Sequence, residues 1–233
     1  MTLIPYQAGG TEFDAYIAYP AASTPRPAVL VCHAYGGRDA FAESKANALA
    51  KLGYVGAAID LYGIGKRGTD ASSSSALMTE LMRNPPILRE RLRAAFEAIR
   101  ELPRVDKVRM GAIGFCFGGM CALLLARMGL PLRGVASFHG LLKTGEPLNQ
   151  RIAARVLVLH GLDDPMAPPA DIGAFAQAMK DGAADWQLHA YPGVMHAFTN
   201  PAANAPAEGK AYNAEADARS WRTMTNFWTE VFG

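Results

Sequence analysis

The sequence predicts an α/β fold, with a mostly parallel, doubly wound sheet and helices on both faces. Three observations predict it. Short, β-rich apolar runs recur along the chain. Amphipathic stretches of helical period separate them. The runs are apolar almost throughout, with little alternation, which is what a strand covered on both faces requires.

Each element follows in order. Segment 11–19 reads as an antiparallel edge strand. Strands then fall at "PAVLVCH" (27–33), "YVGAAID" (54–60), "VRMGAIG" (108–114), "RGVASFH" (133–139), "RVLVLHG" (155–161) and "WQLHAYP" (186–192), each bounded by turn residues. Helical patterns occupy 43–52, 87–101, 117–129, 169–180 and 214–231. In 87–101, Ile87, Leu88, Leu92, Ala95, Phe96 and Ile99 share one face at 3.6-type spacing. The polar stretch "GTDASSSSALM" (68–78), followed by "NPPI" (84–87), interrupts the alternation. It reads as a loop, either covering a pocket or simply solvated. No internal repeat is visible. A chain of 233 residues suits one domain, 1–233, with a core that needs no disulfide or metal staple.

Composition narrows the function classes. Half the residues are hydrophobic, the formal charge is +2 and both signs are scattered. No basic stripe marks a nucleic-acid partner, and no apolar window reaches membrane-span length. The opening twenty residues lack a secretory pattern. Three cysteines, an odd number, argue against a disulfide framework and for a reducing compartment. The expectation is a cytoplasmic protein, a monomer or small homo-oligomer, without metal, since no ligand cluster has metal spacing.

The chemistry concentrates in "GAIGFCFGGM" (111–120). A strand ends near Gly114 and a helix begins at once, so Gly114-Phe115-Cys116-Phe117-Gly118 fits G-x-nucleophile-x-G with cysteine as nucleophile. A sharp strand-to-helix turn forces a strained backbone at the nucleophile, and only small neighbours avoid it. Cys116 then lies near a helix N-terminus, where the dipole favours a thiolate. The Phe117 N–H would face an oxyanion. Such an elbow predicts an acid and then a histidine downstream. "HGLDDP" places Asp163 and Asp164 in the turn after one strand, and "YPGVMHAF" places His196 after the next. Asp164, just before Pro165, is favoured as the acid, with Asp163 capping the turn. In a Cys–His–Asp set the imidazole takes the thiol proton and the carboxylate fixes the ring's tautomer.

The elbow "GFCFGG", "HGLDDP", "YPGVMHAF", "DLYG" (60–63) and "YNAEADARSW" (212–221) together resemble the dienelactone hydrolase family, from about residue 10 to the end. The resemblance implies an α/β-hydrolase core without a large lid domain. It also implies hydrolysis of a small-molecule ester or lactone through Cys116, Asp164 and His196, with no cofactor. It maps a second oxyanion donor to the Tyr35 N–H in "HAYGGRD". Two positions depart from the pattern. Ala34 replaces a glutamate of the first loop, and Asn200 replaces a substrate-binding arginine four residues past the histidine. A substrate other than dienelactone is therefore expected.

The remaining residues read more plainly. Cys32 and Cys121 are packing thiols, His33 and His160 end strands and make local hydrogen bonds, and His189 is exposed. His139, ending another strand, approaches the site or packs locally. Met78, Leu81, Met82 and Ile87 fit a pocket or the core equally well. Arg83 and Arg89 are anion contacts or solvated. Trp221 and Trp228 pack on the sheet. Two competing functions are a nucleotide-binding protein, which the missing G-x-G-x-x-G and P-loop patterns disfavour, and a redox-sensing relative with a reactive Cys116.

Overall fold

A computed structural model describes residues 2–143 and 151–233. Its eight-stranded sheet runs, in spatial order, β1 (Thr2–Ala8), β2 (Thr11–Ala18), β4 (Val55–Ile59), β3 (Arg26–Cys32), β5 (Val105–Phe115), β6 (Gly134–Phe138), β7 (Arg155–Gly161) and β8 (Trp186–Tyr191). The chain forms two compact units, Met1–Ile113 and Gly114–Gly233.

In the first unit β1 (Thr2–Ala8) and β2 (Thr11–Ala18) form a hairpin, with Ala8 opposite Thr11 across Gly9 and Gly10. Both glycines have positive φ, as a two-residue turn matching strand twist requires. β2 continues antiparallel onto β4 (Val55–Ile59), which runs parallel to β3 (Arg26–Cys32). The expected edge strand is therefore internal, and β1, half exposed, is the edge. β3 and β4 are buried almost throughout, so both faces are covered. Helix α1 (Ala40–Lys51) starts at Asp39, whose carboxylate accepts the Ala42 N–H at 2.9 Å.

The stretch expected as a loop is helical. α2 spans Ala71–Met82, and its cap explains why. Asp70 accepts the Ser73 N–H at 2.7 Å while the Ser73 hydroxyl accepts the Asp70 N–H at 3.1 Å. Reciprocal capping satisfies the orphan donors that a serine run would otherwise leave to water. α3 (Pro85–Arg100) follows with prolines at its start, and Leu88, Leu92, Ala95, Phe96 and Ile99 buried. Ile87 is exposed. β5 (Val105–Phe115) crosses from the first unit into the second.

The second unit places α4 (Phe117–Arg127) straight after β5, with every residue buried. β6 (Gly134–Phe138), β7 (Arg155–Gly161) and β8 (Trp186–Tyr191) pair in parallel. α5 (Pro169–Asp181) joins β7 to β8. Beyond β8, two short strands, β9 (Asn204–Ala205) and β10 (Lys210–Ala211), form a small ladder absent from the sequence expectation. α6 (Ala214–Phe232) closes the chain, packing against β6 and β7 with Phe227 and Trp228 buried. No helix among the described residues is long and apolar enough to cross a membrane.

Candidate active site

The second unit brings Cys116, Asp164 and His196 together. Cys116 stands between β5 and α4 at φ 57°, ψ −117°, a strained region for a residue with a side chain. The flanking glycines make this turn possible. A Cβ on Gly114 would lie 1.8 Å from the Gly118 carbonyl oxygen. The half-buried thiol thus sits at the start of α4, beside the Phe117 peptide that opens the helix.

Asp164 follows β7 and is buried. One carboxylate oxygen accepts the Met166 N–H at 2.8 Å, and the other meets His196 Nδ1 at 2.7 Å. Asp163 instead accepts the Gly193 N–H at 3.3 Å, bracing the histidine loop. Burial alone would push the His196 imidazole down. The Asp164 hydrogen bond, then the Cys116 thiol as partner and as charge, outweigh it and hold the ring's pKa at about 9. The ring's Nε2 is inaccessible to water and makes no aligned hydrogen bond among the described residues, so the thiol lies within electrostatic reach without ideal alignment.

The backbone of His196 is clamped by a segment that sequence patterns did not single out. Its N–H donates to the Gly209 carbonyl at 2.9 Å, and its carbonyl accepts the Ala211 N–H at 3.1 Å. The 197–211 stretch therefore folds back on the residue it follows. Thr199, fully buried, sits 2.8 Å from His139 Nε2. Only its nearness to His196 in "HAFTN" hinted at a role. Asn200, in the arginine position, accepts the Ala202 N–H at 3.0 Å and stabilises a turn.

The other histidines divide. His139 Nδ1 accepts the Cys116 N–H at 3.1 Å, placing this strand-end residue at the elbow itself. His160 is buried beside the Asp164–His196 pair, yet neither ring nitrogen has a hydrogen-bond partner among the described residues, contrary to the local role expected of it. Burial pushes its pKa down, Asp164 pulls it up, and His196 pushes it down again. His189 is exposed, as expected.

Tyr35 lies in the first unit, on the loop after β3. There His33 Nε2 accepts the Leu61 N–H at 3.2 Å, which leaves the proton on Nδ1 to bond the Ala34 carbonyl at 2.6 Å. Gly37 N–H reaches the same carbonyl at 3.2 Å. These bonds fix the plane of the Ala34–Tyr35 peptide, whose N–H is the donor the resemblance implied. Asp60 shapes the neighbouring "DLYG" turn, accepting the Tyr62 and Gly63 N–H groups at 2.9 and 3.1 Å. Cys32 is buried, and burial pushes its thiol up to about 12, so it is no competing nucleophile. Among the described residues no cluster of His, Cys, Asp or Glu is arranged to hold a metal ion.

Comparison with known proteins identifies the family. A family model described as the dienelactone hydrolase family matches residues 13–232. A Yersinia pestis protein provisionally named carboxymethylenebutenolidase is 31% identical over 98% of this chain and 87% of its own length. A Bradyrhizobium protein, provisionally named 2-oxo-3-(5-oxofuran-2-ylidene)propanoate lactonase, is 30% identical over 79% of this chain and 78% of its own. Among solved structures, a dienelactone hydrolase-like promiscuous phosphotriesterase from metagenomic libraries superposes with TM-score 0.95 at 35% identity, covering 100% of this chain and 98% of its own.

Proposed function

The chain belongs to the dienelactone hydrolase family and is a hydrolase, and from that premise we propose that it cleaves small carboxylic esters or lactones through an acyl-cysteine intermediate. The observation that carries this reading is the His196 ring, bonded to the Asp164 carboxylate at 2.7 Å and within electrostatic reach of the thiol of a strained Cys116.

The steps follow from the residues. Cys116 Sγ attacks the carbonyl carbon while its proton resides on His196, a transfer the raised basicity of that ring favours. The carbonyl oxygen becomes an oxyanion, met by the Phe117 N–H group. Such a donor typically contributes about 3 kcal/mol. His196 returns the proton to the departing alkoxide, leaving a thioester and a neutral ring. The neutral ring then takes a proton from water, whose oxygen attacks the thioester carbonyl. Collapse releases the acid and restores the Cys116–His196 pair. Asp164 accepts Nδ1–H throughout, fixing the tautomer and offsetting the ring's charge.

The substrate is proposed only to class. The lactonase relative favours a cyclic ester, and the phosphotriesterase neighbour makes an aryl phosphotriester the natural second probe. The test is hydrolysis of a short p-nitrophenyl ester, a five-membered lactone and an aryl phosphotriester by the wild type, Cys116→Ala, His196→Ala and Asp164→Asn. The alanine variants are expected to lose on the order of 10³-fold or more in kcat, with Asp164→Asn intermediate. Intact mass after a rapid quench should show one acyl group on Cys116. Wild-type rates in Cys116→Ala would overturn the proposal. Alkylation of Cys116 without turnover of any probe would point instead to a redox-responsive relative.

A further inference from the structure

Building on the reading of Cys116 as nucleophile, we propose that His139 is a positioning residue, a neutral clamp that holds the nucleophile's backbone and ties it through Thr199 to the loop carrying His196.

The clamp is built from backbone geometry first. β6 ends at Phe138, and His139 turns out of the strand at φ 40°, left-handed although it is not glycine. Its own N–H stays bonded to the Leu159 carbonyl at 2.9 Å. That anchor and the unusual φ aim the ring at the elbow. The Cys116 N–H is shared there between the Phe138 carbonyl at 3.1 Å and His139 Nδ1 at 3.1 Å. Two residues in sparsely allowed conformations thus hold each other directly. Strain of this kind persists only where surrounding bonds enforce it.

The hydrogen bonds also settle the ring's protonation. A donor arrives at Nδ1, so Nδ1 carries no proton and the proton sits on Nε2. Nε2 then donates to Thr199 Oγ1 at 2.8 Å. A second proton would set N–H against N–H at Cys116. It would also place a cation edge-on to the His196 ring, whose centroid is 5.1 Å away. Phe115 and Phe198 flank the ring at 6.0 and 5.2 Å, and His139 is 2% exposed. The donor already at Nδ1 and the nearby His196 ring both favour the neutral form. The neutral ring therefore spans two loops: Nδ1 fixes where Cys116 stands, and Nε2 fixes Thr199, three residues beyond His196. The relation between thiol and imidazole is set through this bridge.

Two pairs of variants test the clamp. An asparagine at 139 offers an amide oxygen near the place of Nδ1, whereas glutamine reaches the place of Nε2 and leaves the Cys116 N–H without that acceptor. His139→Gln should lose about 50- to 100-fold in kcat with KM within about twofold, and His139→Asn, which keeps an acceptor for the Cys116 N–H but lacks the Thr199 link, should lose only about tenfold, as Thr199→Val does. Thr199→Val should lose about tenfold, and Thr199→Ser should restore the rate. The alkylation rate of Cys116 by iodoacetamide, which needs no turnover, should fall most in His139→Gln, less in His139→Asn and Thr199→Val, and hold in Thr199→Ser. Equal effects of Asn and Gln in folded protein, or a Thr199→Val enzyme indistinguishable from wild type, would overturn the clamp. If His139→Gln fails to fold, the threonine pair decides alone. Full activity in Cys116→Ala would mark failure of the nucleophile reading, and the alkylation series would still judge the clamp.

Discussion

Gly209 shows how much of the site is decided by single atoms. It has φ 72°, and a Cβ there would lie 2.2 Å from Pro165 Cγ and 2.5 Å from Cδ. Pro165 follows the carboxylate Asp164, and the Gly209 carbonyl holds the His196 N–H. One glycine therefore sets the separation of the acid loop and the histidine loop. Gly209→Ala must shift one of them, so it should lower ester hydrolysis by about 10- to 100-fold while costing only about 1–3 kcal/mol of stability. Steady-state kinetics beside thermal melts would check this, and unchanged kcat would sink it. The contrast with Cys116, Asp164 and His196 explains what was legible. Each of those three stands in a strand-end turn whose neighbours are dictated locally by sterics, so the sequence announces it. Gly209 and Thr199 matter because residues 204–211 return to His196, and no local pattern encodes a return.

At the scale of elements, periodicity located strands and helices to within a few residues wherever burial imposed it. β3, β4, β6 and β7 are buried almost throughout, and α3 has one buried stripe. It failed where burial is slight. α2 buries only Ser74 and Leu81, so its stripe is too thin to read, and its serines have weak helix propensity. The signal lay in the cap, Asp70 with Ser73, and in the hairpin the signal lay in Gly9-Gly10. Local capping rather than core burial should therefore hold the start of α2. Asp70→Ala should speed amide hydrogen exchange in the first turn of α2 about fivefold or more, with little change in the global melt. Exchange mapped by mass spectrometry would read it. Unchanged protection at Ser73 and Ser74 would mean that tertiary packing, not the cap, holds the helix end.

For the whole molecule, the buried histidines give stability a direction in pH. His196 has a folded pKa of about 9 against its ordinary 6.5, because the Asp164 bond and the Cys116 thiol overcome burial. Its contribution is therefore complete below about pH 6.5 and is lost as pH rises toward about 9. The shift corresponds to about 3 kcal/mol at most. His33 and His160 run the other way. Burial holds both below 6.5, so their contribution is present above that value and falls away as acid protonates the unfolded chain first. Above about pH 9 the buried Cys32 thiol and Tyr6 hydroxyl, both pushed up by burial, add a further alkaline loss. The melting temperature should thus peak near neutral pH and fall by about 5–10 °C between pH 6.5 and 9. Asp164→Asn removes the carboxylate that holds the proton on His196, so its melt should start lower at pH 6.5 and fall less over the same interval. Fluorimetric melts of both proteins across that range decide the matter: parallel slopes would show that the Asp164–His196 pair does not govern alkaline stability, whereas converging curves would locate that dependence in the pair the proposed chemistry uses.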